Sequence, residues 1–594
     1  MRKRYEAALA FLPKLRLQPA LALRQALKGG YGRRDVVADL MAGVVVGVVA
    51  LPLAMALAIA SGVPPQHGIY TSIVAGALIA LLGGSKVQVS GPTAAFVVIL
   101  APISAKFGIG GLLLATLMAG MILVIMGAAR LGRLIEFIPH PVTTGFTAGI
   151  ATVIASLQLK DFLGVTLRGN PEHFFDRIAA LIRAIPSARP GDVIVGATTL
   201  AILIVWPKIT RRVPGPLIAL ALGAVLAYAL TKLVGWDIAT IGSRFSYVTD
   251  GATHPGIPAL PPVPVLPWTF PGADGRPLVL SFDVFRSLVG PAFAIAMLGA
   301  IESLLCAVVA DGMSGSKHDP DVELVAQGLG NLVAPFFGGI AATGAIARTA
   351  TNIRAGARSP LAAFFHSAFV LLGVLVLAPA LGLLPMASLA ALLLIVAWNM
   401  SEVKHFGHIV RVAPRSDTIV LLTCFTLTVV FDMVVSVTAG VMLAALLFMR
   451  RMADISRAKM VEDHTEHLDE ALPRGVLMYE IAGPLFFGAA QKAMSAFTSV
   501  NAPARVIIIY MGAVPAMDMT GLVALESVLA ALHKTRHLVI LAGVQEQPAG
   551  VLAKAGIRDE EGKLVICRTL EDAVAVAKQR RRPTAEWSLT DIRL

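Results

Sequence analysis

AFAIAMLGAIESLLCAVVA, residues 292–310, decides the class of fold, because it is an apolar run with one charged side chain, Glu302. A run of roughly 20 such residues is long enough to cross the hydrocarbon core of a bilayer as a helix. A charge at bilayer depth is costly and usually marks an ion or substrate pathway. Glu302 is therefore the first candidate for a functional residue.

The rest of the chain returns repeatedly to the same kind of sequence. Of its 594 residues 56% are hydrophobic and 15% charged, whereas soluble domains carry about 25% charged residues. Roughly ten to fourteen membrane helices fit before residue 450, and fourteen crossings from a cytoplasmic N-terminus place the basic loops on one side. The net charge of +13 follows this positive-inside bias and does not indicate nucleic-acid binding.

The pattern divides the chain into five parts. Residues 1–34 form an N-terminal cytoplasmic region, and 35–450 a helical membrane domain with a proline-rich extracellular excursion at about 236–288. Residues 451–473 are a linker and 581–594 a tail. Between them, 474–580 alternate apolar strands (476–481, 506–510, 538–542, 564–567) with helices (519–532, 570–578), which predicts a soluble α/β domain. Three cysteines without paired spacing indicate neither a disulfide frame nor a metal site.

Two places in the membrane domain interrupt the helical pattern in the same way. Gly83-Gly84 precedes Gly91-Pro92-Thr93-Ala94-Ala95, and Gly338-Gly339 precedes Gly344-Ala345-Ile346-Ala347. Paired interruptions of this kind in the two halves of a transporter point to its binding site. The alternative is that both are tight turns between ordinary spans.

Residues 92–95 and 344–347, called here the first and second cradles, have the composition of an anion site. A helix that starts inside the membrane leaves its first N–H groups unpaired and carries partial positive charge, so two facing starts bind an anion. Pro92 suits the first turn of a helix, and Thr93 adds a hydroxyl donor. Ala94, Ala95, Ala345 and Ala347 are small enough for a ligand to approach the backbone.

Two charged residues belong to this hypothesis. Arg348 follows the second cradle and either supplements it electrostatically or anchors the end of the helix. Glu302 beside a bound anion favours its protonated form, which predicts proton-coupled symport; the alternative is a structural carboxyl group bonded to a neighbouring helix.

Four stretches of the chain resemble the SulP anion transporters, solute carrier family 26: residues 39–62, 83–96, 138–149 and 327–358. The third contains Ile138-Pro139-His140-Pro141-Val142 and Gly145-Phe146-Thr147-Ala148-Gly149. The resemblance extends to a C-terminal STAS domain. It implies fourteen transmembrane segments in two inverted seven-segment repeats, core and gate domains, elevator-like movement and homodimers. It places the substrate between Pro92, Thr93, Ala94 and Ala95 and Gly344, Ala345, Ile346 and Ala347, with Leu53 and Leu57 lining the pocket, where many relatives have polar or aromatic residues.

The resemblance also bears on the coupling ion and the substrate. Sodium-coupled bicarbonate members offer Asp, Thr and Thr where this chain has Glu302, Cys306 and Ile346, which disfavours sodium, so the proton is the expected coupling ion and no cofactor is expected. Residues 302–311, 328–331 and 396–402 are similar to a bacterial four-carbon dicarboxylate transporter of the family, which suggests succinate or fumarate. Backbone N–H groups serve bicarbonate and sulfate equally, and an uncoupled anion channel is a further alternative.

In the STAS-like domain, Asp518-Met519-Thr520-Gly521 follows a strand, at the position where related anti-sigma antagonists carry a phosphorylated serine after the aspartate. Met519 cannot be phosphorylated; Thr520 is either a regulatory site or a helix N-terminal residue. The domain is expected to support dimer assembly, regulation or a partner such as acyl carrier protein.

The chain has no catalytic triad or phosphate loop, so it is expected not to be an enzyme. It is expected to be a multi-pass protein of the bacterial inner membrane, with both termini cytoplasmic. A membrane-anchored regulatory scaffold would leave the two interruptions unexplained.

Overall fold

The structure is a computed structural model of the chain. It describes residues 19–579, apart from 136–137, 168, 170, 172, 211–212, 250–251, 432, 456, 462–471, 474, 487–489 and 491–503. The chain divides into two compact units, Met1–Val441 and Met442–Leu594. Each unit is built around its own core.

The first unit is helical. Its helices are α1 Leu21–Lys28, α2 Arg33–Ala60, α3 Pro65–Leu82, α4 Ala94–Ala128, α5 Gly132–Ile135, α6 His140–Phe162, α7 Phe174–Ala184, α8 Pro190–Ile209, α9 Gly215–Leu233, α10 Ile241–Arg244, α11 Phe282–Ser314, α12 Pro320–Val333, α13 Ile346–Arg354, α14 Leu361–Leu381, α15 Met386–Ser401, α16 Val403–Val412, α17 Arg415–Val430 and α18 Met433–Ile455, the last continuing into the second unit. The predicted excursion at 236–288 holds a hairpin, β2 Ser246–Thr249 with β3 Ala252–Pro255, and ends inside α11.

Among the described residues, ten helices are long and apolar enough to cross a membrane. The multi-pass helical architecture is therefore confirmed, whereas the count of fourteen segments stays a prediction. Gly108 has φ 69° and divides α4 into two helical pieces. Helices α12, α13 and α17 have 14, 9 and 16 residues, fewer than the roughly 20 with which a helix crosses a bilayer.

Both predicted helix interruptions are present. After α3 the chain runs extended through β1, Ser90–Gly91, before α4 starts at Ala94. After α12 a 3₁₀ turn, Ala334–Phe337, and a left-handed Gly338 (φ 71°) lead into β4, Thr343–Gly344, before α13. The two short strands pair antiparallel, with Ser90 opposite Gly344 and Gly91 opposite Thr343. The interruptions are thus joined to each other, which two separate tight turns would not be.

The helices of this unit pack in two groups. Helices α2, α3, α4, α11, α12, α13 and α14 surround the two interruptions, while α6, α8, α9, α15 and α17 pack together beside them. Close approach at glycine holds α4 against α12: a Cβ on Gly120 would lie 2.8 Å from the carbonyl oxygen of Gly328, and a Cβ on Gly328 2.6 Å from the amide nitrogen of Val124. Small residues allow such backbone contact between membrane helices.

The second unit contains a five-stranded sheet in the order β5 Arg457–Val461, β6 Val476–Ala482, β7 Val506–Ala513, β8 Leu538–Ala542, β9 Leu564–Cys567. Strands β6 to β9 are parallel, and β5 pairs antiparallel with β6. Helices α19 Met519–Lys534, α20 Glu546–Lys554 and α21 Leu570–Gln579 accompany it, with a hydrophobic core on each face. The four predicted strands and two predicted helices are present.

The predicted linker at 451–473 needs correction, because α18 continues to Ile455 and β5 occupies 457–461. Its mixed charges obscured a strand that lies at the edge of the sheet. An edge strand needs backbone pairing on one side only, and here β6 provides it. Helix α20 was also missed, because a helix of nine residues gives little periodic signal.

Candidate functional site

The first cradle starts a helix whose first amides have no side-chain cap. Thr93 is the N-cap residue of α4, with extended backbone (φ −123°, ψ 158°), and makes no side-chain capping bond. Its hydroxyl group instead donates to Oε2 of Glu302 at 2.9 Å. The N–H groups at the start of a helix have no partner within the helix. Because Thr93 does not fill this role, those of α4 remain available to a ligand.

The second cradle has the same form. Ala345 is the N-cap residue of α13 and has no side chain with which to cap it. Its own N–H donates to the carbonyl oxygen of Val89 at 2.9 Å, which ties it to the chain just before β1. Ile346 is 40% exposed and Ala347 is exposed. The β1–β4 pairing therefore brings two uncapped helix starts to one place.

Glu302 lies beside the first cradle, as its hydrogen bond to Thr93 shows. Its helix, α11, packs against α4, β4 and α13. The carboxyl group is partly buried. The interior of the helix bundle, not the lipid face, is thus where this charge lies.

Arg348 is 5% exposed, and its guanidinium group donates from Nη2 to the carbonyl oxygen of Pro92. A Cβ on Gly91 would lie 2.7 Å from Nη1 of the same group. The positive charge thus belongs to α13 in sequence but covers the backbone of the first cradle. Sequence reasoning assigned it to the second cradle because that cradle is adjacent along the chain.

Gly344 is packed from behind. A Cβ there would lie 2.3 Å from Nε2 of Gln88 and 3.1 Å from Cβ of Cys306. Leu57 is buried and Leu53 half-buried on α2, a helix that packs against α13. For Leu53 and Leu57 the pocket-lining role stays a prediction.

Polar residues that sequence reasoning did not select hold the two interruptions. The hydroxyl oxygen of Thr349 accepts from the N–H of Val89 at 2.9 Å and from Sγ of Cys306 at 3.2 Å. Asn352 Nδ2 donates to the carbonyl oxygen of Val87 at 2.9 Å. Asn331 exchanges two hydrogen bonds, of 2.7 and 2.8 Å, with the backbone of Ala342. In the sequence only Asn331 gave a signal, as a polar residue in an apolar run, whereas Thr349 and Asn352 lie among other polar residues.

The three residues compared with a sodium site offer one oxygen-bearing side chain among them. Cys306 is turned to Thr349, the Ile346 side chain is hydrocarbon, and Glu302 alone of the three carries oxygen. Among the residues that the structure describes, no group of three His, Cys, Asp or Glu side chains could hold a metal ion. The arrangement can bind an anion by amides and one guanidinium group, with a carboxyl group able to exchange a proton beside it.

A cavity of about 810 Å³ is lined by residues of both helix groups. Its walls include Ile59, Val98 and Ala294 from the first group, Ser156 and Thr428 from the second, and Arg177 of α7. Val98 lies about one helical turn beyond Ala94. The cavity thus begins beside the first cradle without including the residues of either cradle.

In the second unit, Asp518 caps α19 by accepting from the N–H of Gly521 at 2.8 Å. Thr520, in the first turn, is exposed. Gln547 holds the preceding residue, Met517, through its backbone N–H and carbonyl oxygen at 2.8 and 3.0 Å. Thr520 is thus presented on a fixed turn and does not itself cap the helix.

Comparison with known families matches residues 36–424 to the sulfate permease family and residues 469–573 to the STAS domain. The chain is 40% identical to the "Putative sulfate transporter YvdB" of Bacillus subtilis over 85% of this chain and 91% of that protein. It is 30% identical to the bicarbonate transporter BicA of Picosynechococcus, over 81% of this chain and 84% of the other. Among solved structures, murine Solute Carrier 26 family member A9, an anion transporter, has the same fold, with a TM-score of 0.80, 18% identity and coverage of 94% of each chain.

Proposed function

This chain belongs to the sulfate permease family of transporters, and we propose that it is a secondary active transporter that takes up a small anion together with protons. It is an anion transporter and not an enzyme. The observation that carries the proposal is the pairing of β1 with β4, which joins two uncapped helix starts beside Glu302. Helix starts attract anions through their free N–H groups and dipoles.

The proposed order of binding follows from the charges at the site. The cradles and Arg348 attract the anion, whose negative charge makes an ionised Glu302 unfavourable at short range. Uptake of a proton by Glu302 removes this repulsion, so that proton and anion each favour the binding of the other. The cavity between the two helix groups supports an elevator-like movement, because it leaves room for the group carrying the cradles to shift.

For the substrate we propose a four-carbon dicarboxylate such as succinate or fumarate, on the strength of the motifs at 302–311, 328–331 and 396–402. Sulfate and bicarbonate are the second candidates, because they appear in the names of YvdB and BicA. The two sets share carboxylate or oxyanion oxygens, which backbone N–H groups bind alike. The chemistry of the cradles therefore supports the class of anion more strongly than its size.

The proposal extends to the assembly. The protein would form homodimers in the bacterial inner membrane with both termini in the cytoplasm, as the basic loops predict. The STAS domain would serve dimer assembly or regulation, with Thr520 as a phosphorylation candidate and acyl carrier protein as a candidate partner.

Uptake into proteoliposomes tests the function. Labelled fumarate, sulfate and bicarbonate are offered separately, with and without an inwardly directed proton gradient, and in sodium or in N-methylglucamine. We expect one of them to accumulate above its external concentration only when protons flow inward, with sodium making no difference. Entry that stops at equal concentrations would identify a channel, and a requirement for sodium would contradict proton coupling.

A further inference from the structure

Glu323 is a buried carboxylate that joins both halves of the site without facing either cradle. It lies in the first turn of α12 and is 1% exposed. Its Oε2 accepts from the backbone N–H groups of Gly84 at 3.0 Å and Ser85 at 3.2 Å. Its Oε1 accepts from Nε2 of Gln88 and Nε2 of Gln327, both at 3.1 Å. Gly84, Ser85 and Gln88 belong to the extended chain before β1.

The same amide groups carry the connection onward. Nε2 of Gln327 also donates to the hydroxyl group of Ser90, in β1, at 2.8 Å. Nε2 of Gln88 also donates to the hydroxyl group of Ser303, the residue after Glu302, at 3.0 Å. Glu323 thus holds the start of the extended segment directly. It holds the end of that segment through Gln327, and the turn of α11 that carries Glu302 through Gln88.

The chain passes Glu323 too closely for a side chain to lie between them. A Cβ on Gly83 would lie 2.8 Å from Oε2 of Glu323, and a Cβ on Gly84 2.4 Å from the carbonyl oxygen of Asp319. An unwound segment has no internal hydrogen bonds to fix its path. Its position is therefore set by the groups against which it packs, and Glu323 is one of those that contact its start.

We propose that Glu323 is a positioning residue that sets where the first cradle lies relative to the second. The proposal rests on the proposed function, because it concerns the same anion site. All four partners of Glu323 are N–H donors, so the position requires a group that only accepts hydrogen bonds. An ionised carboxylate meets that need, because both of its oxygens accept hydrogen bonds. In a glutamine one oxygen is replaced by an NH₂ group, which would face two N–H donors and could not accept from either.

The test compares Glu323→Gln with Asp321→Asn. Asp321 lies on the same turn of α12, and its Oδ1 accepts from a backbone N–H, that of Gly132, at 3.0 Å, away from the cradles. Both variants remove one carboxylate from the same helix start. Apparent KM and maximal rate are measured with the labelled anion that the wild type takes up, and hydrogen–deuterium exchange is followed in residues 84–96 of the purified full chain.

For Glu323→Gln we expect an apparent KM raised about tenfold or more, since a buried bond to a charged group is lost, with faster exchange across 84–96 and unchanged exchange in α14. Asp321→Asn should leave both quantities within about twofold of the wild type, well below the effect expected when a buried charged bond is lost. In Glu323→Gln with Gln327→Glu, the carboxylate returns one helical turn away, and the KM should recover in part. Wild-type KM and exchange in Glu323→Gln would overturn the proposal.

If Glu323→Gln does not fold, Ser90→Ala decides, because it removes only the hydroxyl group that receives the Gln327 bond. Faster exchange in 84–96 supports the proposal, and unchanged exchange and KM refute it. Exchange does not depend on transport. A wild type that takes up none of the three anions would therefore contradict the proposed function, while the exchange experiment would still decide the role of Glu323.

Discussion

Gly344→Ala should lower the affinity of the site for its anion, and the contacts around Gly344 give the size of the effect. The new Cβ would lie 2.3 Å from Nε2 of Gln88, whereas ordinary contacts begin at roughly 3.5 Å, so one side must move by about 1 Å. Gln88 then loses its bonds to Ser303 and Glu323, together about 3 kcal/mol, since a bond to a charged group counts for about twice a neutral one. Gly344 does not have positive φ, so the backbone itself tolerates alanine.

This loss should appear mainly as lower apparent affinity. We expect the variant to reach the wild-type arrangement of the site only at the cost of those lost bonds. Its affinity for the anion then falls in proportion to the fraction of molecules in that arrangement, and about 3 kcal/mol corresponds to roughly a hundredfold loss. The assay is the concentration dependence of uptake into proteoliposomes, normalised to folded protein. Gly312→Ala is the matched control, because a Cβ there meets nothing within 4 Å. Gly344→Ala with the affinity of the control would refute the reasoning.

Three further predictions follow from the same contacts. Glu302→Gln can still accept the bond from Thr93 but cannot exchange a proton, so uptake should lose its rise with falling external pH; the pH profile checks this, and an unchanged profile argues against coupling through Glu302. Arg348→Lys keeps the charge without the planar group that lies against Gly91 and Pro92, so the apparent KM should rise about tenfold, whereas an unchanged KM would show that the guanidinium is not needed. Gly328→Val drives a side chain into α4 and should lower yield and thermal stability with every anion tested; a folded variant with normal stability would contradict the close packing of α4 and α12.

The sequence predicted the helix interruptions correctly because their signals are local. Gly83, Gly91 and Gly338 disfavour continuous helix wherever they occur. The strands of the second unit were predictable for a similar reason, since each is a short apolar run bounded by polar turns. Edge strand β5 lacked that signal because two of its five residues, Arg457 and Lys459, are charged.

The partners of each polar group were beyond the reach of sequence. Arg348 was assigned to the second cradle by proximity along the chain, yet it reaches Pro92 of the first. Glu323 gave no signal of its own in a helix start with several acidic residues. The contact of Arg348 with Pro92 and that of Glu323 with Gly84 each join residues more than 200 positions apart. No local pattern in the sequence encodes such a pair.

Hydrophobicity and the placement of glycine and proline, read along the chain, determined that this is a membrane protein with two interrupted helices and a separate α/β domain. These properties belong to each segment by itself, because the transfer of apolar side chains into lipid and the backbone freedom of glycine need no partner. The tertiary structure decided that β1 pairs with β4, that Thr93 meets Glu302 and that Arg348 covers the first cradle. Hydrogen bonds act over about 3 Å, so only the folded packing of the helices brings these groups within reach.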